Sequence, residues 1–305
     1  MKITIGADPE LFLLKNGSPV SAFGMIPGNK KAPHKVDNGA VQVDGMALEF
    51  NINPSETVDQ FNNNIDSVLK TLRGMVPSDY EFNFDASVTF DSEHFNSQPK
   101  EAVVIGCDPD YDPYRHREYP APMDNNSTTR AAGGHIHVGW GTDFDIHNSA
   151  HIAACEKMAI VMDYFLGLPA LVLDSSPASD ARFCSYGRAG AYRPKPYGVE
   201  YRFLSNFWVS KKEYRTMMFN QTKKAFDWLT NPVNSGRPWS HNSTTSLCLS
   251  RSIIAQDRIR GDKAHTKSNI HYFKSLLQSH IGTSMAMSAF ADIKPMLDEG
   301  ISNWK

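Results

Sequence analysis

Between Lys2 and Leu14 the chain alternates, with Ile3, Ile5, Leu11 and Leu13 on one face of an extended strand and Asp8, Glu10 and Phe12 on the other. Pro9 has no N–H to give to a ladder, so it marks an edge or a bulge. Leu48, Phe50 and Ile52 alternate with Glu49, Asn51 and Asn53, which predicts a second strand over 46–53, entered through a turn at Asp44-Gly45. Tyr80, Phe82 and Phe84 against Glu81, Asn83 and Asp85 predict a third over 80–90. A Gly pair opens the fourth, over 133–140, where His135 and His137 share a face. The fifth, over 198–204, turns Val199, Tyr201 and Phe203 one way and Glu200 and Arg202 the other.

Elsewhere the period becomes helical. Val58, Phe61, Ile65, Val68, Leu69 and Leu72 follow Pro54-Ser55-Glu56, with Ser55 placed as the cap and Gly74 and Pro77 as the stop. Ile152, Met158, Val161, Met162, Phe165 and Leu166 predict a buried helix within 147–173, broken around Gly167 and Pro169. Ser210 to Glu213 matches a capping box ahead of Tyr214, Met217, Met218, Ala225 and Trp228. Further helices are expected over 245–260, 267–281 and 283–298. The stretches 15–40 and 106–130 are rich in turn formers, and the second is long enough to suggest a functional loop.

Every predicted strand thus has one apolar face and one face carrying polar or ionisable groups. An α+β fold satisfies this: an antiparallel sheet, helices packed on its apolar face, and an open cavity over the other. No repeat, low-complexity tract or linker divides the chain, so residues 1–305 are expected to form a single domain with 210–305 as its helical C-terminal part.

Composition adds mainly exclusions. The chain has 305 residues, 41% of them hydrophobic and 21% charged, and a formal net charge of -2, with no basic excess to suggest a nucleic-acid partner. No stretch approaches the ~20 apolar residues of a membrane span, and the N-terminus lacks a signal-peptide pattern. Cys107, Cys155, Cys184 and Cys248 are widely spaced and form no C-x-x-C, which fits a reducing compartment. A cytoplasmic location without a membrane partner is expected.

The polar faces carry the chemistry. Asp8 and Glu10 point the same way and repel each other unless a cation lies between them; a polar pair at a strand end is the plainer alternative. His135 and His137 present two imidazoles to one site, or form a zinc site or a satisfied structural pair. Residues 182–206 hold four arginines and one glutamate among apolar and turn-forming residues. Arg188 and Arg193 arrive through a Pro/Gly-rich loop, from which two guanidinium forks can converge on a transferring phosphate; a structural ion-pair strand is the competing explanation. Placed on one sheet face, Asp8, Glu10, Glu49, His135, His137, Glu200 and Arg202 suit Mg2+ or Mn2+ bridging a polyphosphate, because oxygen-rich ligand sets select these ions over zinc.

Three motifs in order carry a resemblance. Gly6-Ala7-Asp8-Pro9-Glu10-Leu11-Phe12-Leu13 resembles the first catalytic strand of the glutamine synthetase and glutamate-cysteine ligase superfamily. His135-Ile136-His137 behind its Gly pair is similar to that superfamily's His-x-His strand, and Arg188 to Arg193 followed by Glu200-x-Arg202 resembles its arginine loop and Glu-x-Arg strand. The closest likeness, over roughly residues 3–210, is to the phage-type carboxylate-amine (COOH-NH2) ligases.

This resemblance implies a glutamine synthetase-like catalytic domain, with a curved, largely antiparallel sheet whose polar face is concave. It implies that Glu10 and Glu49 bind a first metal near the acyl and amine substrates, and Asp8, His135 and Glu200 a second near the nucleotide. His137 would touch the nucleotide phosphates, while Arg188, Arg193 and Arg202 would grip the γ-phosphoryl group and the acyl-phosphate. Two departures stand out: Asp8 replaces a glutamate, and only Glu49 matches where the superfamily has two acids, leaving Asp44, Glu81 or substrate to finish the first metal.

The expected activity is ATP-dependent joining of a carboxylate to an amine through an acyl-phosphate, releasing ADP and phosphate, with ATP and Mg2+ or Mn2+ as cofactors and small molecules or peptides as substrates. Glu49, Arg188, Arg193 and Arg202 are the expected catalytic residues, and the host cytoplasm the expected location for a phage-encoded chain. Three alternatives remain: a guanidino-kinase-like phosphotransferase, a zinc hydrolase built on His135 and His137, and a non-catalytic phage protein that retains the fold.

Overall fold

A computed structural model describes residues 2–104, 109–119, 127–232 and 282–302, with isolated positions between 264 and 279. Its strands run β1 Thr4–Lys15, β2 Ser18–Val20, β3 His34–Val36, β4 Gly39–Asp44, β5 Ala47–Ile52, β6 Tyr80–Asn83 and β7 Ser87–Thr89. They continue as β8 Asp110–Asp112, β9 Arg117–Tyr119, β10 Thr129–Ala131, β11 Gly134–Gly139, β12 Tyr192–Lys195 and β13 Gly198–Tyr201. The described helices are α1 Val58–Met75, α2 Ser92–Asn96, α3 Lys100–Val103, α4 Ser149–Met162, α5 Leu168–Leu173, α6 Pro177–Phe183, α7 Lys212–Thr230 and α8 Thr283–Ser302. The fold is mixed α+β, as the alternation predicts.

Eleven strands form one sheet, ordered β3-β4-β5-β1-β11-β13-β12-β8-β9, with β2 and β6 also pairing to β1. The pairs are antiparallel. Ile5, Ala7, Leu11 and Leu13 of β1 enter the main core with Ile136, Val138, Val199 and Tyr201. Helices α1, α4 and α7 supply the other side of that core and α8 packs on α5 and α7, so the apolar faces are covered by helix. Phe12, on the opposite face, packs with Val88, Phe90 and Phe95 in a second, smaller core.

Pro9 lies in a central strand, where pairing changes partner. The β1–β11 ladder ends at Pro9 opposite Gly134, and the β1–β5 ladder begins at Glu10 opposite Glu49. A residue without an N–H fits such a seam. The Asp44-Gly45 turn joins β4 to β5, with Gly45 at φ 59°.

Several local expectations are corrected. The stretch 80–90 is two strands: Asp85 N–H bonds Asn83 Oδ1 at 2.5 Å, closing a turn, and β7 pairs with β10 in a separate two-stranded sheet. Helix α1 is capped by Thr57, whose side chain accepts from Gln60 N–H, while Ser55 is buried in a bridge to Ile5. The chain stays helical across Gly167 and Pro169 through a π turn at Asp163–Gly167, because Pro169 falls in the first turn of α5, where its missing N–H costs little. The Ser210 capping box does not form: Ser210 closes a 3-10 turn and its hydroxyl donates to Phe207 O, leaving Lys211 as the cap of α7 without a side-chain bond. The expected helices over 245–260 and 267–281 lie almost wholly outside the described residues, and that over 283–298 is α8.

Strand β13 stops at Tyr201 rather than 204 because Arg182 takes over the carbonyls that follow. Its buried guanidinium donates to Phe203 O at 3.0 Å, Leu204 O at 2.9 Å and Arg202 O at 3.5 Å. Burial lowers its pKa to about 10, so it stays charged at neutral pH. Arg182→Met should strand the Phe203 carbonyl, while Leu204 O keeps the Gly134 N–H at 3.0 Å, and lower the unfolding free energy by ~1–3 kcal/mol, read as a lower urea midpoint with unchanged slope; an unchanged midpoint would make the strap dispensable.

Candidate active site

Sheet register gathers the polar side chains. Asp8 faces His135, Glu10 faces Glu49, Glu49 faces Gln42, and Glu200 faces both His137 and Arg193 across adjacent ladders. Directly opposed residues project from the same face of a sheet, so five neighbouring ladders build one surface. A cavity of about 840 Å³ lies over it, lined by Asp8, Glu10, Asp44, Glu49, His135, His137, Arg193, Lys195, Glu200 and Arg202 among others. A second cavity, of about 380 Å³, shares Glu10, Asp44, His135 and Arg202 with the first.

One end of the surface is an ion network around Glu200, which is 1% exposed. Arg202 Nη1 bonds Glu200 Oε1, and Lys195 Nζ lies 2.5 Å from Oε2. Arg193 Nη1 lies 3.7 Å from Oε1, and Asp110 Oδ1 accepts from Arg202 Nε at 2.6 Å while lying 3.6 Å from Arg193 Nη2. Burial alone would raise the pKa of Glu200, but Arg202 and Lys195 hold it well below the usual carboxylate range. Arg202 is in turn held charged by Glu200 and Asp110 against the cost of its own burial.

Asp8 stands between the two histidines. Its Oδ1 lies 3.2 Å from His135 Nδ1 and 3.0 Å from His137 Nε2, whose Nδ1 contacts Tyr197 OH. Burial raises the Asp8 pKa and the two imidazoles more than offset it, so the net shift is well downward. Burial and Arg202 lower the His135 pKa, whereas Asp8 overcomes burial to raise that of His137. Gly133 leaves room for this arrangement, since a Cβ there would sit 2.3 Å from His135 Nε2.

The donor set fits a divalent cation at two places. Asp8, His135 and Glu200 offer ligand atoms within 4.8 Å of one another, as do Glu10, Asp44 and Glu49. Arg202 Nη1 also lies 3.1 Å from His135 Nδ1. One ring nitrogen cannot accept from Arg202 and donate to Asp8 together. With the guanidinium as obligate donor, the single lone pair of His135 Nδ1 is taken by Arg202, so a cation held there by Asp8, His135 and Glu200 would replace that bond. His137 Nε2 is buried without an aligned hydrogen bond. Oxygen-dominated sets of this kind suit Mg2+ or Mn2+.

The second group is acid-rich. Glu10 Oε2 accepts from Gly133 N–H at 2.8 Å, and Glu49 Oε2 from Gln42 Nε2 at 2.6 Å. Burial and the neighbouring Asp44 push Glu10 up to about 7, and burial with Asp8 and Glu10 raises Glu49 well above its ordinary value.

The structure therefore brings together Asp8, Glu10, Glu49, His135, His137, Arg193, Glu200 and Arg202. Arg188 is set apart: it is exposed, with its guanidinium 4.0 Å over the Tyr119 ring. Of the acids considered for finishing the first cluster, Asp44 is present and Glu81 is exposed on β6. Sequence reasoning missed Asp110, Lys195 and Tyr197. Asp110 sat in the loop flagged for its length, while Lys195 and Tyr197 flank Pro196 and read as turn residues.

Residues 124–223 match the family model described as Phage phiEco32-like COOH.NH2 ligase-type 2. The likeness to this phage-type carboxylate-amine ligase family extends over that segment, about a third of the chain. No curated protein matches the chain by sequence. Among solved structures it is similar to a bifunctional glutathione synthetase from Pasteurella multocida, at 11% identity and TM-score 0.49, over 99% of this chain and 47% of that one. A structure titled as a novel glutamine synthase homolog matches at 12% identity and TM-score 0.36, over 98% of this chain and 67% of that one. The chain thus spans about half the length of the glutathione synthetase. Among the described residues no helix is long and apolar enough to cross a membrane.

The raised acids give a signed prediction. A carboxyl whose folded pKa is raised favours the fold below its unfolded pKa and loses that contribution as pH rises through the folded value. Glu49→Gln should therefore raise the melting temperature of metal-free protein, more near pH ~8 than near pH ~5. An equal shift at both pH values, read by differential scanning fluorimetry, would show that Glu49 carries no such penalty.

Proposed function

We propose that the chain is an ATP-dependent carboxylate-amine ligase working through an acyl-phosphate. The observation that supports this reading best is the division of the polar face into an arginine-lined end around Glu200 and an acid-rich end around Glu10, Asp44 and Glu49. The larger cavity is assigned to the nucleotide and the smaller to the acyl and amine substrates, so that they meet beside Glu10, Asp44, His135 and Arg202.

In this assignment Asp8, His135 and Glu200 hold one divalent cation and Glu10, Glu49 and Asp44 another. When bound, these cations polarise phosphoryl oxygens and neutralise developing charge. Arg202 and Arg193 orient the γ-phosphoryl group by fixed guanidinium forks, with Asp110 holding both in place. His137, braced by Tyr197, contacts the nucleotide phosphates, and Lys195 supplies a further positive charge from the same face. Arg188 is left out of this inner set because it stacks on Tyr119. The substrate carboxylate attacks the γ-phosphorus, ADP departs, and the amine then displaces phosphate from the acyl carbon. Juxtaposing the reactants can contribute ~7–11 kcal/mol of the barrier reduction.

The path of one oxygen tests this chemistry. With an 18O-labelled carboxylate substrate, one label should leave in inorganic phosphate, with ADP as the other product. Label in AMP accompanied by pyrophosphate would replace phosphorylation by adenylation, and a stable phosphorylated nitrogen product would favour phosphotransfer.

Arg202→Lys keeps the charge but loses the fork, and turnover should fall on the order of 10²-fold. Wild-type turnover with chemistry rate-limiting would remove Arg202 from the phosphate site.

A further inference from the structure

The π turn at Asp163–Gly167 interrupts an otherwise continuous helical run from Ser149 to Leu173, and it carries a buried acid that the proposed chemistry does not use. π turns are rare and recur at functional sites. Asp163 is 2% exposed and lies on the helix side of the sheet, opposite the cavity. Its two oxygens take three donors from three separate parts of the chain. Tyr201 OH donates to Oδ1 at 2.6 Å, Gly190 N–H to the same oxygen at 2.9 Å, and Tyr114 OH to Oδ2 at 2.6 Å.

Each donor lies in or next to a segment that carries charge into the cavity. Tyr201 lies between Glu200 and Arg202, so its side chain points to Asp163 while theirs point to the cavity. Gly190 ends the loop that carries Arg188, and Arg202 N–H closes onto Ala191 O at 2.7 Å, joining that loop to the site strand. Tyr114 is in the connection between β8 and β9, the hairpin that brings Asp110 to Arg193 and Arg202.

Local geometry is fitted to these bonds. A Cβ on Gly167 would lie 2.9 Å from Tyr201 OH, so glycine in the π turn leaves that hydroxyl its place. Gly190, at φ 67°, packs so closely on the hairpin that a Cβ would lie 2.5 Å from Pro113. Burial pushes the Asp163 pKa up to about 7 while the three donors draw it down.

We propose that Asp163 is a positioning residue, a buried carboxylate that pins the 110–119 hairpin, the 184–191 loop and strand β13 to the helix layer and so sets Asp110, Arg193 and Arg202 at the cavity. The inference rests on the reading of that cavity as a nucleotide phosphate site. A side chain that only filled space here would need no three-donor carboxylate, and its loss would soften the core without altering anion affinity.

Asp163→Asn keeps the shape and replaces one acceptor by a donor aimed at Tyr114. Amide hydrogen exchange should quicken in both 110–119 and 184–191 while the β4–β5 hairpin stays unchanged. Affinity for ADP with Mg2+, by calorimetry, should fall about 10-fold to 10²-fold, the scale of losing one hydrogen bond to a charged group. Tyr114→Phe and Tyr201→Phe should each give part of both effects, and they serve if Asp163→Asn folds poorly. Ile293→Val in α8, which trims the core but supplies none of the bonds to Asp163, should lower the melting point without moving either readout.

Unchanged exchange in both segments would overturn the proposal, and so would faster exchange with wild-type ADP affinity, because the contact would then be merely structural. If the wild-type protein binds no nucleotide, the functional reading falls by that result, and unchanged or faster exchange in the two segments still refutes or supports the pinning itself.

Discussion

Crowded charge on one face of a sheet is the constraint on which the rest of the structure depends. Asp8, Glu10, Asp44, Glu49 and Glu200 are drawn together by strand register, and each pays a desolvation penalty of several kcal/mol unless something opposite in sign lies near. The two ends of the face resolve this differently. Around Glu200 the protein supplies Arg202, Lys195 and Arg193, and the carboxylate stays ionised. Around Glu10 and Glu49 burial and mutual repulsion win, and the acids hold protons more tightly.

That asymmetry connects fold to chemistry. The helix layer on the other face lets the polar face stay open, because α1, α4 and α7 bury the odd-numbered side chains of β1 and their partners. The same arrangement gives Tyr201 to the core and its neighbours Glu200 and Arg202 to the cavity. A guanidinium that is both buried and doubly paired has little freedom, which suits the phosphate-orienting role proposed for it.

Alternation along the chain was enough to assign Asp8, Glu10, Glu49, His135, His137, Glu200 and Arg202 to one face, since side-chain direction in a strand follows from parity. It was not enough to show which strands adjoin. That Glu10 opposes Glu49, or that Asp44 joins them, depends on register, which is set by tertiary pairing. Arg188 stands apart from this face, with its guanidinium over the Tyr119 ring, a partner far away in sequence that no local pattern shows. Asp110 was hidden for the converse reason: its three-residue strand is too short to show a period. Thr57 rather than Ser55 capping α1 reflects the burial of Ser55 against Ile5, a contact invisible to local motifs.

The ligase chemistry proposed above requires each of the two clusters to hold a divalent cation on the polar face. Counting Mn2+ bound per chain by electron paramagnetic resonance, with a non-hydrolysable ATP analogue present, tests it most directly. Two ions per chain are expected, with Asp8→Asn weakening one and Glu49→Gln the other. Protein that binds no Mn2+ under these conditions, or that retains tightly bound zinc and ignores Mn2+, would contradict it.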